Sequence, residues 1–140
     1  YRISANGQVL DGADTLQAII DIGRRLEAAG ICRLASQEVC GLAPAGVINN
    51  SYFSMIVTKM NRPFAGADQL ADALGAISLL EQAQVCRPQP ASCDLLGSGV
   101  VANRYFRHRI AIGGQVVLGA DDMNVVLSQF GDLRRAQICL

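Results

Sequence analysis

The chain has 140 residues, enough for one ordinary domain or for a short array of small units. Lysine plus arginine and aspartate plus glutamate number 12 each, so no net charge draws the molecule to nucleic acid or to an anionic membrane. Apolar residues make up 51%, yet no uninterrupted apolar run reaches the 18 or so residues that a membrane span requires. We therefore expect protein partners, no nucleic acid, and a position peripheral to a membrane at most.

One segment of the sequence recurs. Residues 40–86 begin and end with cysteine and return in strict register as residues 93–139, and the later part of the same unit occupies residues 1–32. The chain thus holds about two and a half copies of one unit, so the sequence predicts a repeat architecture. Three copies of a Gly-Ala-Asp triplet mark the register: Gly12-Ala13-Asp14, Gly66-Ala67-Asp68 and Gly119-Ala120-Asp121.

The partial repeat, residues 1–32, is predicted to be the second arm of a helical hairpin. From Gln8 onward apolar residues recur largely at steps of three and four, which is typical of an amphipathic helix. Asn6-Gly7 would form the turn before this arm. Asp14 followed by Gln17 also fits an N-cap with its capping partner, in which case the helix starts later.

The first complete repeat, residues 40–86, is predicted to contain two helical arms. The pairs Ile48 with Tyr52 and Phe53 with Val57 are each four residues apart. The turn would lie at residues 61–63, midway between the cysteines, with Pro63 in the first turn of the second helix. Each arm of about 20 residues would be roughly 30 Å long.

The second complete repeat, residues 93–139, has the same pattern after a link that contains Pro88 and Pro90. Residues 104–118 also fit two strands, because apolar positions alternate and Gly113-Gly114 suits a hairpin turn. The favoured fold is all-α, with tandem antiparallel helical hairpins closed by disulfides. The alternative is an α+β fold in which β-hairpins plus helices repeat.

The cysteines lie at the edges of the repeats, which favours disulfides between Cys40 and Cys86 and between Cys93 and Cys139. Cys32 would pair with a cysteine roughly a dozen residues before Tyr1. The spacing and the single histidine do not suit a zinc site, whereas buried free thiols remain an alternative. Disulfides would place the protein in an oxidising compartment.

An aromatic pair is the most specific repeated side-chain feature, with an asparagine two residues before it in each complete unit. These aromatic residues either form the core of the hairpin or contact an apolar ligand or partner. Arg104, Arg107, His108 and Arg109 form a local basic cluster, which indicates a solvated face or a surface for an acidic partner. The candidate contact residues are Tyr52, Phe53, Tyr105, Phe106 and His108.

We find no sequence pattern for catalysis, nucleotide binding or metal binding, and we predict no catalytic residue, no metal site and no intrinsic cofactor. The Gly-Ala-Asp triplet lacks the Gly-Lys-Ser/Thr of a phosphate loop, so a structural role is favoured for it.

Residues 40–48 and 93–101 run from cysteine to Gly-Val-Ile and Gly-Val-Val, and each unit continues through alanine- and glycine-rich arms to a closing cysteine. In this respect the chain resembles the Cys-bracketed helical-hairpin repeats of dinoflagellate algae. The resemblance implies an accessory structural protein of the plastid, a peripheral subunit or linker of a photosystem–antenna complex on the lumen side of the thylakoid. Contact with chlorophyll or carotenoid would then be with the pigment of a partner.

Two functions follow from these patterns. The first is a non-enzymatic structural or linker subunit that presents rigid, partly apolar faces to other proteins in a larger assembly. The alternative is a lipid or pigment carrier with a cavity between disulfide-stapled helices. A pocket that brings Asp68 or Asp121 next to His108 would instead favour an enzyme.

Overall fold

A computed structural model describes residues 1–5, 8–30 and 38–140 of the chain. Within these ranges it has three helices of 13 residues each, α1 (Leu16–Ala28), α2 (Leu70–Gln82) and α3 (Met123–Arg135). The strands, in chain order, are β1 (Arg2–Ala5), β2 (Gln8–Gly12), β3 (Val39–Ile48), β4 (Ser51–Lys59), β5 (Arg62–Ala67), β6 (Arg87–Pro88), β7 (Cys93–Leu96), β8 (Gly99–Val101), β9 (Arg104–Phe106), β10 (His108–Ile112) and β11 (Gln115–Ala120).

The all-α prediction is wrong, because the described chain is mostly β and its helices do not pair into hairpins within a unit. The first predicted arm of each complete unit is a pair of strands, and only the later part of each second arm is helical. The sequence allowed two strands over residues 104–118, and the structure has strands there, but three of them, β9, β10 and β11. Each complete unit is therefore an antiparallel meander followed by one helix.

The first complete unit forms a four-stranded sheet in the order β5-β4-β3-β6. β4 pairs antiparallel with both β3 and β5, and the short β6 returns after the helix to pair parallel with the start of β3. Four consecutive residues of β4, Met55 to Thr58, are buried. Their continuous burial explains why the sequence shows an apolar run there rather than a clear alternation.

The second complete unit repeats this layout with a break in its first strand. β7 and β8 together occupy the position of β3, and the sheet order β11-β10-β7 matches β5-β4-β3. β8 and β9 form a separate two-stranded hairpin. The partial unit contributes the antiparallel pair β1-β2 and helix α1, which correspond to the second and third strands and the helix of a complete unit.

Four two-residue turns connect the strands of the complete units, and both central residues of each turn have positive φ. The φ values are 51° and 65° at Asn49-Asn50, 53° and 62° at Met60-Asn61, 53° and 66° at Ala102-Asn103, and 58° and 86° at Gly113-Gly114. Positive φ at both positions defines a type I′ turn, whose twist matches that of the flanking strands. These turns fix the strand register. Those at Asn49-Asn50 and Ala102-Asn103 interrupt the predicted first helical arms, whereas those at Met60-Asn61 and Gly113-Gly114 lie at or next to the turns predicted between the arms. Pro63 accordingly lies in the edge strand β5 rather than in a helix.

The helices pack one face against the sheets. The buried residues of α2 are Ala73, Ile77 and Leu80, and those of α3 at the same positions are Val126, Phe130 and Leu133. Together with Ile19 and Ile20 of α1 they belong to one hydrophobic cluster that runs through all three units. Helix α1 begins with Thr15, whose side chain accepts a hydrogen bond from Ala18 N–H, so the later of the two predicted starts is close to the observed one.

Two disulfides close the complete units, and they are the pairs that the repeat spacing predicts. Cys40 and Cys86 have Cα atoms 5.5 Å apart, and those of Cys93 and Cys139 are 5.6 Å apart. Each disulfide joins the start of the first strand to the segment that follows the helix, which is consistent with folding in an oxidising compartment. Cys32 and the turn predicted at Asn6-Gly7 lie outside the described residues.

Candidate interaction surface

The repeated aromatic pair is divided between the two faces of its strand, as alternation along a strand requires. Tyr52 and Tyr105 are exposed, with 49% and 62% of their surface accessible. Phe53 and Phe106 are half-buried and lie over Gly66 and Gly119, where an added Cβ would overlap the aromatic ring. The glycine of the triplet is therefore the site that receives the phenylalanine of the same unit.

The aspartate of the triplet has a structural contact that also repeats. Asp68 accepts a hydrogen bond from Ser54 N–H at 2.9 Å, and Asp121 accepts one from Arg107 N–H at 3.0 Å. In both units the aspartate thus ties the end of the third strand to the chain that follows the aromatic pair. These contacts give the triplet a role in joining strands.

Each exposed tyrosine has an exposed valine directly opposite it on the neighbouring strand. Val47 pairs with Tyr52 and Val100 pairs with Tyr105, and the valines are 65% and 62% accessible. Residues opposite each other in an antiparallel pair project from the same face. The Nδ2 atom of Asn103 donates a hydrogen bond to the Tyr52 hydroxyl at 3.3 Å, which links the two hairpins. We call Val47, Tyr52, Val100 and Tyr105 the Val–Tyr patch.

The two asparagines predicted beside the aromatic pairs lie at the tips of the hairpins. Asn50 and Asn103 are the second residues of type I′ turns and are exposed. Asparagine is favoured there because its side chain tolerates positive φ better than most residues do. Their repetition is therefore explained by turn geometry, and in the second complete unit also by the contact of Asn103 with Tyr52.

The basic cluster does not form one continuous surface. The Arg104 guanidinium lies 4.7 Å from the centre of the Phe106 ring and 4.0 Å from the Asp121 carboxylate. The Arg109 Nε atom donates a hydrogen bond to the Gly97 carbonyl oxygen at 2.9 Å. His108 is half-buried at the start of β10, opposite Ala120. Arg107 is exposed two residues after Tyr105, whereas the exposed Arg104 contacts the Phe106 ring on the face of β9 opposite to Tyr105.

A cleft of about 780 Å³ lies between the partial unit and the first complete unit. Of the predicted contact residues Phe53 lines it, whereas the four residues of the Val–Tyr patch do not. The rings of Tyr1 and Phe64 meet in the cleft with their centres 5.4 Å apart. Burial raises the pKa of the Tyr1 hydroxyl above its ordinary value, so this group is neutral at physiological pH. The full lining is Tyr1, Arg2, Val9, Asp14, Ile48, Asn49, Ser51, Phe53, Pro63, Phe64 and Gly66.

Among the described residues, no three His, Cys, Asp or Glu side chains lie close enough together to hold a metal ion. None of the three helices, over the same ranges, has the length and apolar character needed to cross a membrane. The repeated Asp68 and Asp121 carboxylates accept backbone hydrogen bonds near the protein surface.

Sequence reasoning identified the tyrosines and phenylalanines from their repetition but missed the valines and the cleft. Val47 and Val100 also repeat, yet only the hairpin register places them opposite the tyrosines. The two turn dipeptides of each unit could have indicated this register. In the first complete unit they are Asn49-Asn50 and Met60-Asn61. The cleft depends on how successive units pack, which no local pattern encodes.

Comparison with protein families, with curated proteins and with solved structures gives no match to this chain.

Proposed function

We propose that the chain is a non-enzymatic structural module that binds another protein through the Val–Tyr patch. The observation that carries this proposal is the recurrence of the same exposed valine–tyrosine pair at the same position of both complete units. Core residues recur because they pack, and cross-strand contact stabilises each valine–tyrosine pair, but neither requires so much of these four side chains to stay exposed.

The chemistry of the patch suits a protein interface. Tyrosine is enriched in interfaces because it offers a large apolar area together with a polar hydroxyl, and it has few rotatable bonds to immobilise. The disulfides and type I′ turns hold the hairpins in fixed positions, which lowers the entropy cost of binding. The exposed Arg107, two residues after Tyr105, favours a partner whose apolar groove has an acidic group at its rim.

The resemblance noted in the sequence gives this proposal a finer form. The partner would be a subunit of a photosystem–antenna complex on the lumen side of a plastid thylakoid, and pigment contact would be with chlorophyll or carotenoid of that partner. The disulfides support an oxidising compartment as the coarser statement. The identity of the assembly remains a prediction.

The carrier alternative requires a ligand cavity between disulfide-stapled helices. Each disulfide instead joins a strand start to the segment after a helix. The large cleft is open and its lining includes Arg2, Asp14 and Asn49 as well as apolar rings. This mixed lining favours an extended peptide over a lipid tail.

The proposal is tested by site-specific photocross-linking. A photoreactive phenylalanine analogue is placed at position 105, and a matched control carries it at Gln82, which is exposed on α2 away from the patch. Both proteins are incubated with an extract of the native source, and cross-linked products are identified by mass spectrometry. A discrete protein product at position 105 that is absent at position 82, and that is lost when Val100→Ser is added, supports the proposal.

Two results would contradict it. One is a set of products that does not differ between positions 105 and 82. The other is stoichiometric lipid or pigment recovered by solvent extraction of the purified native protein, which would support the carrier. Identification of the product as a thylakoid subunit would support the finer form, and a partner from another compartment would exclude it.

A further inference from the structure

The two complete units show how one unit packs on the unit before it. β11, the third strand of the second complete unit, lies against β3, the first strand of the preceding unit. β5 is the strand of the first complete unit that corresponds to β11. Like β11, it forms an outer edge of its sheet, and among the described residues no strand is hydrogen-bonded to either edge. β11 nevertheless has β3 packed against it.

The partial unit lies next to β5 but contributes only the counterparts of a second strand, a third strand and a helix. Because Gly12 corresponds to Gly66, Tyr1 corresponds to Met55 in the middle of β4. The first strand that would lie against β5 is therefore not among the partial unit's described elements. The cleft is lined by Tyr1 of the partial unit and by Pro63 and Phe64 of β5, and the repeat geometry places that strand there.

Burial at matched positions supports this placement. Val117 of β11 is 1% accessible, whereas Phe64 at the same position of β5 is only half-buried. Val101 is 8% accessible, whereas its counterpart Ile48, which lines the cleft, is half-buried. The same positions are thus more deeply buried in the unit that follows a complete unit than in the unit that follows the partial one.

We propose that the cleft is a strand-acceptor site for the first strand of this same repeat. The occupant is an extended segment with the pattern of residues 39–48, the first strand of this repeat. Its leucine, equivalent to the buried Leu42, would cover Phe64, and its closing Gly-Val-Ile would approach the hairpin at Ile48 and Asn49. β3 and β11 are in contact without being hydrogen-bonded strands of one sheet, so burial of apolar side chains would supply affinity, and their positions along the strand would supply specificity.

The site is distinct from the Val–Tyr patch, since none of the four patch residues lines the cleft. Filling the cleft would complete the partial unit as a structural element. The proposal therefore does not depend on the proposed function, and the two can fail separately.

A cis test joins a second copy of residues 38–54 directly ahead of Tyr1, because the repeat register makes Ser54 the counterpart of the position before Tyr1. In this variant the copied cysteine is replaced by serine, so that any stabilisation comes from the strand alone. We expect the unfolding midpoint to rise by at least about 2–4 °C. The matched control carries the same extension with glutamate at the copy of Leu42, and it should unfold at the midpoint of the parent chain.

A companion variant keeps the copied cysteine. Non-reducing peptide mapping should then show a disulfide between that cysteine and Cys32, as Cys40 pairs with Cys86 in the complete unit. Equal midpoints for the extended chain and its glutamate control, together with a free Cys32 thiol in the companion variant, would overturn the proposal.

A trans test uses a synthetic peptide with the sequence of residues 38–48, serine in place of its cysteine, and a scrambled peptide as control. Binding to the full chain is followed by isothermal titration calorimetry. Phe64→Ser should weaken binding about tenfold, whereas Val100→Ser, which lies outside the cleft, should leave it unchanged. Equal binding of the scrambled peptide would overturn the proposal. So would a dimer of the parent chain that Phe64→Ser dissociates, because the occupant would then be a second copy.

Discussion

At the residue scale, Ala102, like Met60, is poorly suited to its backbone conformation, because neither is a glycine, asparagine or aspartate. Ala102 has φ of 53° at the first central position of a type I′ turn, where a Cβ meets the following carbonyl oxygen. The equivalent position of the first complete unit is Asn49, whose short polar side chain reduces this penalty. The two units therefore form the same turn with residues that differ in the free-energy penalty of positive φ.

We predict that Ala102→Asn raises the free energy of unfolding by about 0.5–1 kcal/mol, because it relieves the strain without the added chain entropy of glycine. The reciprocal change, Asn49→Ala, should lower it by a similar amount. Denaturant unfolding of both variants and the parent chain measures the difference. A loss of stability in Ala102→Asn would show that the side chain of Ala102 has a packing role that outweighs the backbone.

The aspartate of the triplet offers a second comparison between units. Asp68→Ala removes the acceptor of the Ser54 N–H bond and should cost about 0.5–1.5 kcal/mol in the free energy of unfolding. Asp14 holds the same place in the partial unit, but among the described residues no backbone N–H bonds to it. Asp14→Ala should therefore change stability by less than about 0.5 kcal/mol, and equal losses in the two variants would contradict the assigned role.

At the scale of elements, the contact between Phe53 and Gly66 sets the distance between the end of the β3–β4 hairpin and β5. A methyl group at Gly66 would overlap the ring, so the ring or the strand would have to move. We predict that Gly66→Ala lowers the free energy of unfolding by about 1–3 kcal/mol. Chemical denaturation provides the measurement.

A matched glycine in a helix controls for the general effect of replacing glycine by alanine. Gly75 is exposed in the middle of α2, and an added Cβ there meets nothing within 4 Å. Gly75→Ala should raise the free energy of unfolding by about 0.5–1 kcal/mol, since alanine favours the helix. If both variants shift the free energy of unfolding in the same direction, contact with the Phe53 ring is not the reason that position 66 requires glycine.

The sequence was informative about repetition and ambiguous about the elements that repeat. Residues of β4 are buried on both faces from Met55 to Thr58, which removes the alternation that marks a strand. Ile48 and Tyr52 are four residues apart, as on a helix face, but they lie on opposite sides of the Asn49-Asn50 turn. The apolar pattern of such segments fits a helix or a strand, and mainly the turn residues distinguish the two. Positive φ at two adjacent positions identifies a hairpin turn and therefore strands.

At the scale of the whole molecule, some features can be predicted from the spacing of the repeats in the sequence, whereas others depend on how the units pack in three dimensions. The cysteine pairs could be predicted because the repeat puts them at equal spacing, and a sequence separation of 46 is the same in both disulfides. The tyrosines of the candidate surface could also be found by repetition. The cleft could not, because it lies between the partial unit and the first complete unit, where the described elements include no counterpart to β3 beside β5.

The disulfides give the last prediction, because they limit how far each unit can open. Each closes a loop with a sequence separation of 46 and should contribute about 4 kcal/mol by restricting the unfolded chain. We predict that Cys40→Ala with Cys86→Ala, and Cys93→Ala with Cys139→Ala, each lower the free energy of unfolding by roughly 3–4 kcal/mol. Similar losses are expected because the two loops are equal in length.

Guanidinium unfolding of the oxidised protein, the two variants and the reduced parent chain measures these losses. Hydrogen exchange should show that each variant opens first in the unit that lost its disulfide. The amides to follow are Arg87 N–H, bonded to Glu38, and Leu140 N–H, bonded to Ala91, because these two bonds lie beside the crosslinks. A parent chain whose unfolding midpoint is unchanged by reduction would mean that the hairpin turns and the shared core, rather than the crosslinks, hold each unit closed.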